Sequence, residues 1–260
     1  MNGEKIDMSE SMRKGIYILP NLFTTGSLFA GFYGMVATMN GDFKTAALWI
    51  LVSSIFDGLD GKVARLTGTS SKFGVEYDSL ADVVSFCVAP ALLTYKWALQ
   101  PFGRLGWLAA FLFVACGALR LARFNVQVNT VESKRFVGLP TPAAASMVSA
   151  MVLLFYHFGW PSSYKKLAIL VLIYLLAFLM VSNFRYYSFK DPELIKRQPF
   201  AFLVLAVLLL VVIAAEPIVM LFLIFICYTF SGIIGFLMTW PRRRRLEKAI
   251  HNKHAKEDQQ

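Results

Sequence analysis

The chain has 260 residues, of which 57% are hydrophobic and only 16% charged, and its mean hydropathy is +0.57. Soluble domains of this size carry about a quarter charged residues, so these values exclude a soluble globular domain and indicate an integral membrane protein. The net charge of +10 implies no nucleic-acid partner, because basic residues beside membrane spans serve topology and anionic lipid and no nucleic-acid-binding module accompanies them.

In chain order, residues 1–16 interleave charged positions with Ile6, Met8, Met12 and Ile16. This segment is either a short interfacial helix or an unstructured lead, and the apolar stretch after it lacks the small-x-small context of a cleavable signal. Apolar stretches follow at about 17–40, 43–63, 79–100, 105–122, 139–160, 166–186, 199–215 and 217–240. Each approaches the ~20 residues that cross a bilayer core. The expectation is an all-α, polytopic bundle of about eight transmembrane helices, with one membrane domain at 17–240 and a basic tail at 241–260. Pro20 suits the first turn of a helix, where its missing N–H costs nothing, and 67–71 reads as a turn.

Orientation follows from the basic residues. With the N-terminus in the cytoplasm, only Lys44, Lys96, Arg104, Lys165 and Lys166 of the 26 Lys and Arg fall on the far side. The positive-inside rule therefore puts both termini and the acidic motif described below in the cytoplasm, and the expected location is the cytoplasmic membrane. Cys87, Cys116 and Cys227 have no paired or metal-ligand spacing and read as small core residues. The histidines lie far from the acidic motif described next, and Glu216, before Pro217, reads as an interfacial carboxylate of an external turn.

That motif is Asp57-x2-Asp60-Gly61-x2-Ala64-Arg65-x8-Gly74-x3-Asp78-x3-Asp82. On a helix, Asp57, Gly61 and Ala64 share one face, and Gly74, Asp78 and Asp82 form a second row on the next segment. Charged side chains at the edge of apolar spans cost a few kcal/mol unless partnered. Two helices meeting along these rows gather four carboxylates around one space, a donor set suited to Mg2+ or Mn2+. Gly61, Ala64 and Gly74 leave room for a bulky ligand to approach the backbone. Surface ion pairs with Lys62, Arg65 and Lys72 are the plain structural alternative, and a cation transporter is the alternative of another functional class.

At all eight positions the motif resembles the signature of the CDP-alcohol phosphatidyltransferases, membrane enzymes that move a phosphatidyl group from CDP-diacylglycerol to an alcohol and release CMP. The resemblance implies two divalent ions, with Asp57, Asp60 and Asp78 as metal ligands and Asp82 as a further ligand or the general base. It places the nucleotide against Gly61, Ala64, Arg65 and Gly74, with Asn21, Thr25 and Ser71 as further donor contacts. Asn21 and Thr25 read equally as helix-capping residues. Family members are commonly homodimers, so a homodimer is expected.

Two further segments bear on the acceptor: Arg120-Leu-Ala-Arg123-Phe-Asn125, and Gly138-Leu-Pro-Thr-Pro142. Together with 181–186 they resemble the serine-using branch of that family. The implied acceptor is L-serine, with Arg120, Arg123 and Asn125 near its carboxylate; topogenic, phosphate-snorkelling arginines are the alternative. Glycerol 3-phosphate and a phosphorylated inositol are the alternative acceptors.

Overall fold

The computed structural model describes residues 3–67, 71–128, 136–160, 162–186 and 214–236. Apart from one pair of two-residue antiparallel strands, with Phe136 opposite Tyr186 and Val137 opposite Arg185, the described elements are helices. They are α1 (Gly3–Met39), α2 (Phe43–Thr67), α3 (Lys72–Asp82), α4 (Ala89–Thr94), α5 (Arg104–Val128), α6 (Thr141–Phe158) and α7 (Ser162–Val181), followed by α8 (Pro217–Phe236).

Local chemistry sets the boundaries. Gly41, at φ +81°, makes the tight turn after α1, a backbone conformation that L side chains resist. Asp42 then caps α2, its Oδ1 accepting the Thr45 N–H at 3.1 Å in the usual N-cap manner. Ser71 caps α3 by accepting the Gly74 N–H at 2.9 Å. Pro142 sits in the first turn of α6, and Gly159 ends that helix in the left-handed region.

The sequence expectation for Pro20 does not hold. It stands inside α1, which runs unbroken from Gly3. An interior proline removes one helical N–H donor, and Thr24 Oγ1 bonds the Pro20 carbonyl at 3.2 Å. Residues 3–16 are helical and run on into this helix, whose membrane-spanning part begins at Leu19.

Five described helices are long and apolar enough to cross a membrane: Leu19–Met39, Lys72–Phe102, Arg104–Val126, Thr141–Phe158 and Pro217–Phe236. Three of the eight expected spans are not among them, each for a separate reason. Helix α2 carries Lys44, Asp57, Asp60, Lys62 and Arg65 within its 25 residues, Lys166–Val181 is short, and 199–213 and the basic tail at 241–260 lie outside the described residues. The third span is one continuous helical run in which π-helical turns at Val83–Val88 and Tyr95–Leu99 flank α4. The first π turn begins directly after Asp82.

Small residues bring the helices close, as expected where lipid offers apolar side chains no advantage in meeting each other. A Cβ on Gly31 would lie 2.6 Å from Ser85 Cα, and one on Gly117 would collide with Cys87 Sγ. Ser53 Oγ and Ser85 Oγ both donate to the Ser27 carbonyl, at 2.9 and 3.1 Å. This node ties α1, α2 and the first π turn together one helical turn from the acidic residues. Large apolar side chains such as Phe29, Phe32, Phe111 and Phe178 point outward, where acyl chains cover them.

Candidate active site

Asp57 and Asp60 project from the last turns of α2, and Asp78 and Asp82 from α3. Packing of these helices against α1 brings together carboxylate oxygens of Asp57, Asp60 and Asp78, all within 4.8 Å of one another. Asp82 is buried and stands beside Asp57, outside that trio. Each carboxylate repels its neighbours, and none of the basic residues of the motif segment, Lys62, Arg65 or Lys72, forms an ion pair with them. Lys62 and Lys72 are exposed. Arg65 turns back along its own helix, Nε donating to the Gly61 carbonyl at 2.9 Å. The surface ion-pair alternative therefore has no support in the geometry.

The donor set fits a hard divalent cation. Three convergent carboxylates offer oxygen ligands only, and Mg2+ in particular takes one or two carboxylates and completes its octahedron with water and phosphate oxygens. Thr24 orients one of them. It is buried, and its Oγ1 lies 3.0 Å from Asp60 Oδ2, the type of outer contact that fixes metal-binding carboxylates.

Beside the trio opens a cleft of about 100 Å³ lined by α1 (Pro20, Asn21, Thr24), α2 (Asp60, Gly61, Ala64) and α3 (Gly74, Val75, Asp78), with Ser71 at the α3 cap. The nearest atom to a Cβ placed on Gly61 is Arg65 Nη2, at 3.6 Å. Protein packing therefore does not demand glycine there; a side chain would enter the cleft itself. A Cβ on Gly74 would come within 3.2 Å of both Asn21 Oδ1 and Ser71 Oγ, so Gly74 keeps two polar groups together at the cleft wall.

The remaining residues singled out from sequence separate spatially. Thr25 is exposed and bonds the Asn21 carbonyl at 2.7 Å and the Tyr77 hydroxyl at 3.0 Å, beside rather than in the cleft wall. Arg123 is exposed and donates to Asn183 Oδ1 at 2.8 Å. Asn125 donates to Ser79 Oγ at 2.9 Å, linking α5 to α3. Arg120 is different: it is 8% exposed and lies close enough to Asp82 and Asp57 to act on both. Its Nη1 reaches Thr141 Oγ1 at 3.4 Å, and its Nε is buried without a hydrogen-bond partner. A buried, unpaired guanidinium N–H is costly and marks where an acceptor atom of a ligand fits. Neither Tyr77 nor Thr141 is a site residue by sequence alone; Tyr77 falls beside Asp78, and Thr141 lies inside the Gly138–Pro142 segment.

Comparison with known proteins agrees with this geometry. The CDP-alcohol phosphatidyltransferase family profile matches residues 17–181, which contain every motif residue and Arg120. The chain belongs to the CDP-alcohol phosphatidyltransferase family. It is 40% identical over 239 residues to a CDP-diacylglycerol–serine O-phosphatidyltransferase of Helicobacter pylori strain 26695, covering 92% of this chain and 97% of that one. The enzyme of the same description from strain J99 is 47% identical over 178 residues, 68% of this chain and 75% of the relative. An archaetidylserine synthase of Methanothermobacter thermautotrophicus is 36% identical over 181 residues, 69% and 73% of the two chains. Helix α8 lies beyond the part of the chain that defines the family.

Proposed function

We propose that this protein is a phosphatidylserine synthase, transferring the phosphatidyl group of CDP-diacylglycerol to the hydroxyl of L-serine and releasing CMP. The observation that carries the chemistry is the convergence of Asp57, Asp60 and Asp78 oxygens within 4.8 Å at the edge of a glycine-lined cleft. The acceptor rests on the names of the relatives, which share serine, and on the unpartnered Arg120 Nε beside the acidic cluster.

In this proposal Asp57, Asp60 and Asp78 hold Mg2+ or Mn2+, two ions per site. When bound, such ions neutralise the diphosphate and stabilise the leaving nucleotide. The cytidine diphosphate lies in the cleft against Gly61, Ala64 and Gly74, with Asn21 and the Ser71 cap at its wall and Arg65, Thr25 and Tyr77 at its mouth. Arg120 pairs with the serine carboxylate, a charge-assisted contact of the kind arginine favours. Arg123 and Asn125 hold α5 against Asn183 and α3, which fixes Arg120 in place. Asp82, outside the trio and beside Asp57, takes the proton of the serine hydroxyl. The freed oxygen attacks the phosphorus, the bond from phosphorus to the CMP oxygen breaks, and CMP departs.

The wider arrangement proposed is eight membrane spans, counting α2, α7 and the apolar stretch 199–215, with both termini and the cleft on the cytoplasmic face of the cell membrane and the chain paired as a homodimer. The distribution of Lys and Arg supports the orientation. The deciding experiment is CMP release by the purified protein from CDP-diacylglycerol with L-serine, glycerol 3-phosphate or a phosphorylated inositol as acceptor. Release with serine alone establishes the activity; release only with another acceptor refutes the serine assignment.

A further inference from the structure

A second cavity lies at the other end of the bundle. Asp42 caps the start of α2 and Asp57 stands 15 residues along it, about 22 Å at 1.5 Å per residue; Tyr156 is likewise 15 residues along α6 from Thr141, the partner of Arg120. The cavity beside Tyr156 is therefore separated from the acidic cleft by most of a ~30 Å hydrocarbon core. It has a volume of about 230 Å³ and is lined by Trp97, Phe155, Tyr156, Gly159 and Trp160, several times the ~30 Å³ share of one water.

Its walls are aromatic and mutually braced. Phe155 meets Trp97 edge-on at 5.6 Å and Trp160 edge-on at 5.1 Å, while Trp97 and Tyr156 lie nearly parallel at 6.4 Å. The left-handed Gly159 lets the chain reverse so that Trp160 stacks on Phe158 at 5.1 Å and returns to Phe155. Trp97 and Phe155 are buried, whereas Tyr156 and Trp160 are 46% and 47% exposed, so the cavity is fixed at its base and open at its rim. Asp42 is close enough to act on Tyr156 and is held below the usual carboxylate range by hydrogen bonds from the Thr45 side chain and backbone. Lys44 acts on Asp42 in turn. Nearby, Glu216 is matched by His157 at 3.2 Å.

Ring faces attract cations, most strongly ammonium groups shielded from water. Asp42, within electrostatic reach of Tyr156, adds attraction of the same sign, and Lys44 two residues on suits a phosphate. We propose that this cavity binds the ammonium headgroup of a zwitterionic phospholipid from the leaflet opposite the acidic cleft, with aromatic faces and Asp42 holding the ammonium and Lys44 the phosphate. An aromatic belt that merely floats at the interface needs no acid beside it.

The test uses the full chain exchanged into mixed micelles containing equal amounts of phosphatidylcholine and phosphatidylglycerol with identical acyl chains, with retained lipid counted by native mass spectrometry. Wild type is expected to keep one phosphatidylcholine roughly tenfold in preference to the glycerol lipid. Trp160→Leu and Asp42→Asn should each reduce that preference several-fold, with CMP release from the distant cleft unchanged as the control for folding. Soluble choline is titrated in parallel, reading tryptophan fluorescence. Equal retention of the two lipids by wild type, or an undiminished preference in both variants, overturns the proposal. So does saturable choline binding with no lipid preference, which would make the cavity a site for a soluble amine.

Discussion

Thr24 and Asp60, 36 residues apart in sequence, meet at 3.0 Å between α1 and α2, with the threonine hydroxyl aimed at one oxygen of a carboxylate in the acidic trio. Thr24 Oγ1 is also within reach of the Pro20 carbonyl at 3.2 Å. A single hydroxyl therefore connects the interior proline of α1 to the proposed metal centre. Thr24→Val keeps the shape and removes the donor. The expected outcome is a roughly ten- to hundredfold higher Mg2+ or Mn2+ requirement, with Thr24→Ser close to wild type. An unchanged metal titration for the valine variant would show that Asp60 needs no such orientation.

Asp57→Asn and Asp78→Asn should each abolish CMP release while leaving the protein folded in the membrane, and chelator should silence the wild type until divalent metal is restored. Three carboxylates sharing one 4.8 Å cluster repel one another, so removing one charge favours the empty fold even as it destroys the ligand set. Thermal melts in detergent are accordingly expected to show the Asn variants as stable as wild type or more so in chelator. Full turnover by either variant in chelator contradicts the metal assignment.

Glycines on one helix should differ by face. A Cβ placed on Gly58 would meet no atom within 4 Å, and one on Gly61 would meet only the Arg65 guanidinium end, yet only Gly61 lines the cleft. Gly58→Ala should be neutral or stabilising by up to about 1 kcal/mol through helix propensity and leave activity intact. Gly61→Leu should fold and lose CDP-diacylglycerol affinity, read by nucleotide titration. Equal affinity in the two variants would remove the nucleotide from this cleft.

Gly31 is the contrasting case, where packing alone decides. Its Cβ would fall 2.6 Å from Ser85 Cα, backbone that cannot step aside. Gly31→Ala should lower stability by about 1–3 kcal/mol, seen as a lower midpoint of thermal unfolding in detergent, with the residual folded protein retaining its metal requirement.

Arg120 and Arg123, three residues apart, should separate in kinetics. Arg120→Ala removes the buried guanidinium beside Asp82, and a charge-assisted contact worth about 1.5–3 kcal/mol predicts a roughly ten- to hundredfold rise in the serine KM. Arg123→Ala removes an exposed bond to Asn183 and should change that KM by no more than a few-fold. Serinol, which lacks the carboxylate, is expected to be a poor acceptor for wild type and to lose its disadvantage in Arg120→Ala. The opposite ranking of the two arginines would move the acceptor to the α5–Asn183 side.

The sequence by itself determined the membrane class, the helical fold, the family and the acidic set. Each depends on composition or on spacing within one or two neighbouring helices, and helical periodicity carries such spacing into space. Asp57 and Gly61 share a face because they are four residues apart, and no distant partner alters that.

Only the tertiary structure decided what depends on contacts across the chain. Pro20 reads locally as a helix start, but α1 continues through it because the preceding residues extend the same helix. Arg120 and Arg123 are indistinguishable in sequence; the packing of α5 against α6 and α3 buries one beside Asp82 and leaves the other at the surface. Thr24 becomes an orienting residue only because α1 lies along α2. The aromatic cavity likewise joins Trp97 to residues some sixty positions later, a separation over which local pattern carries no distance information, and only the folding of the helices against one another supplies it.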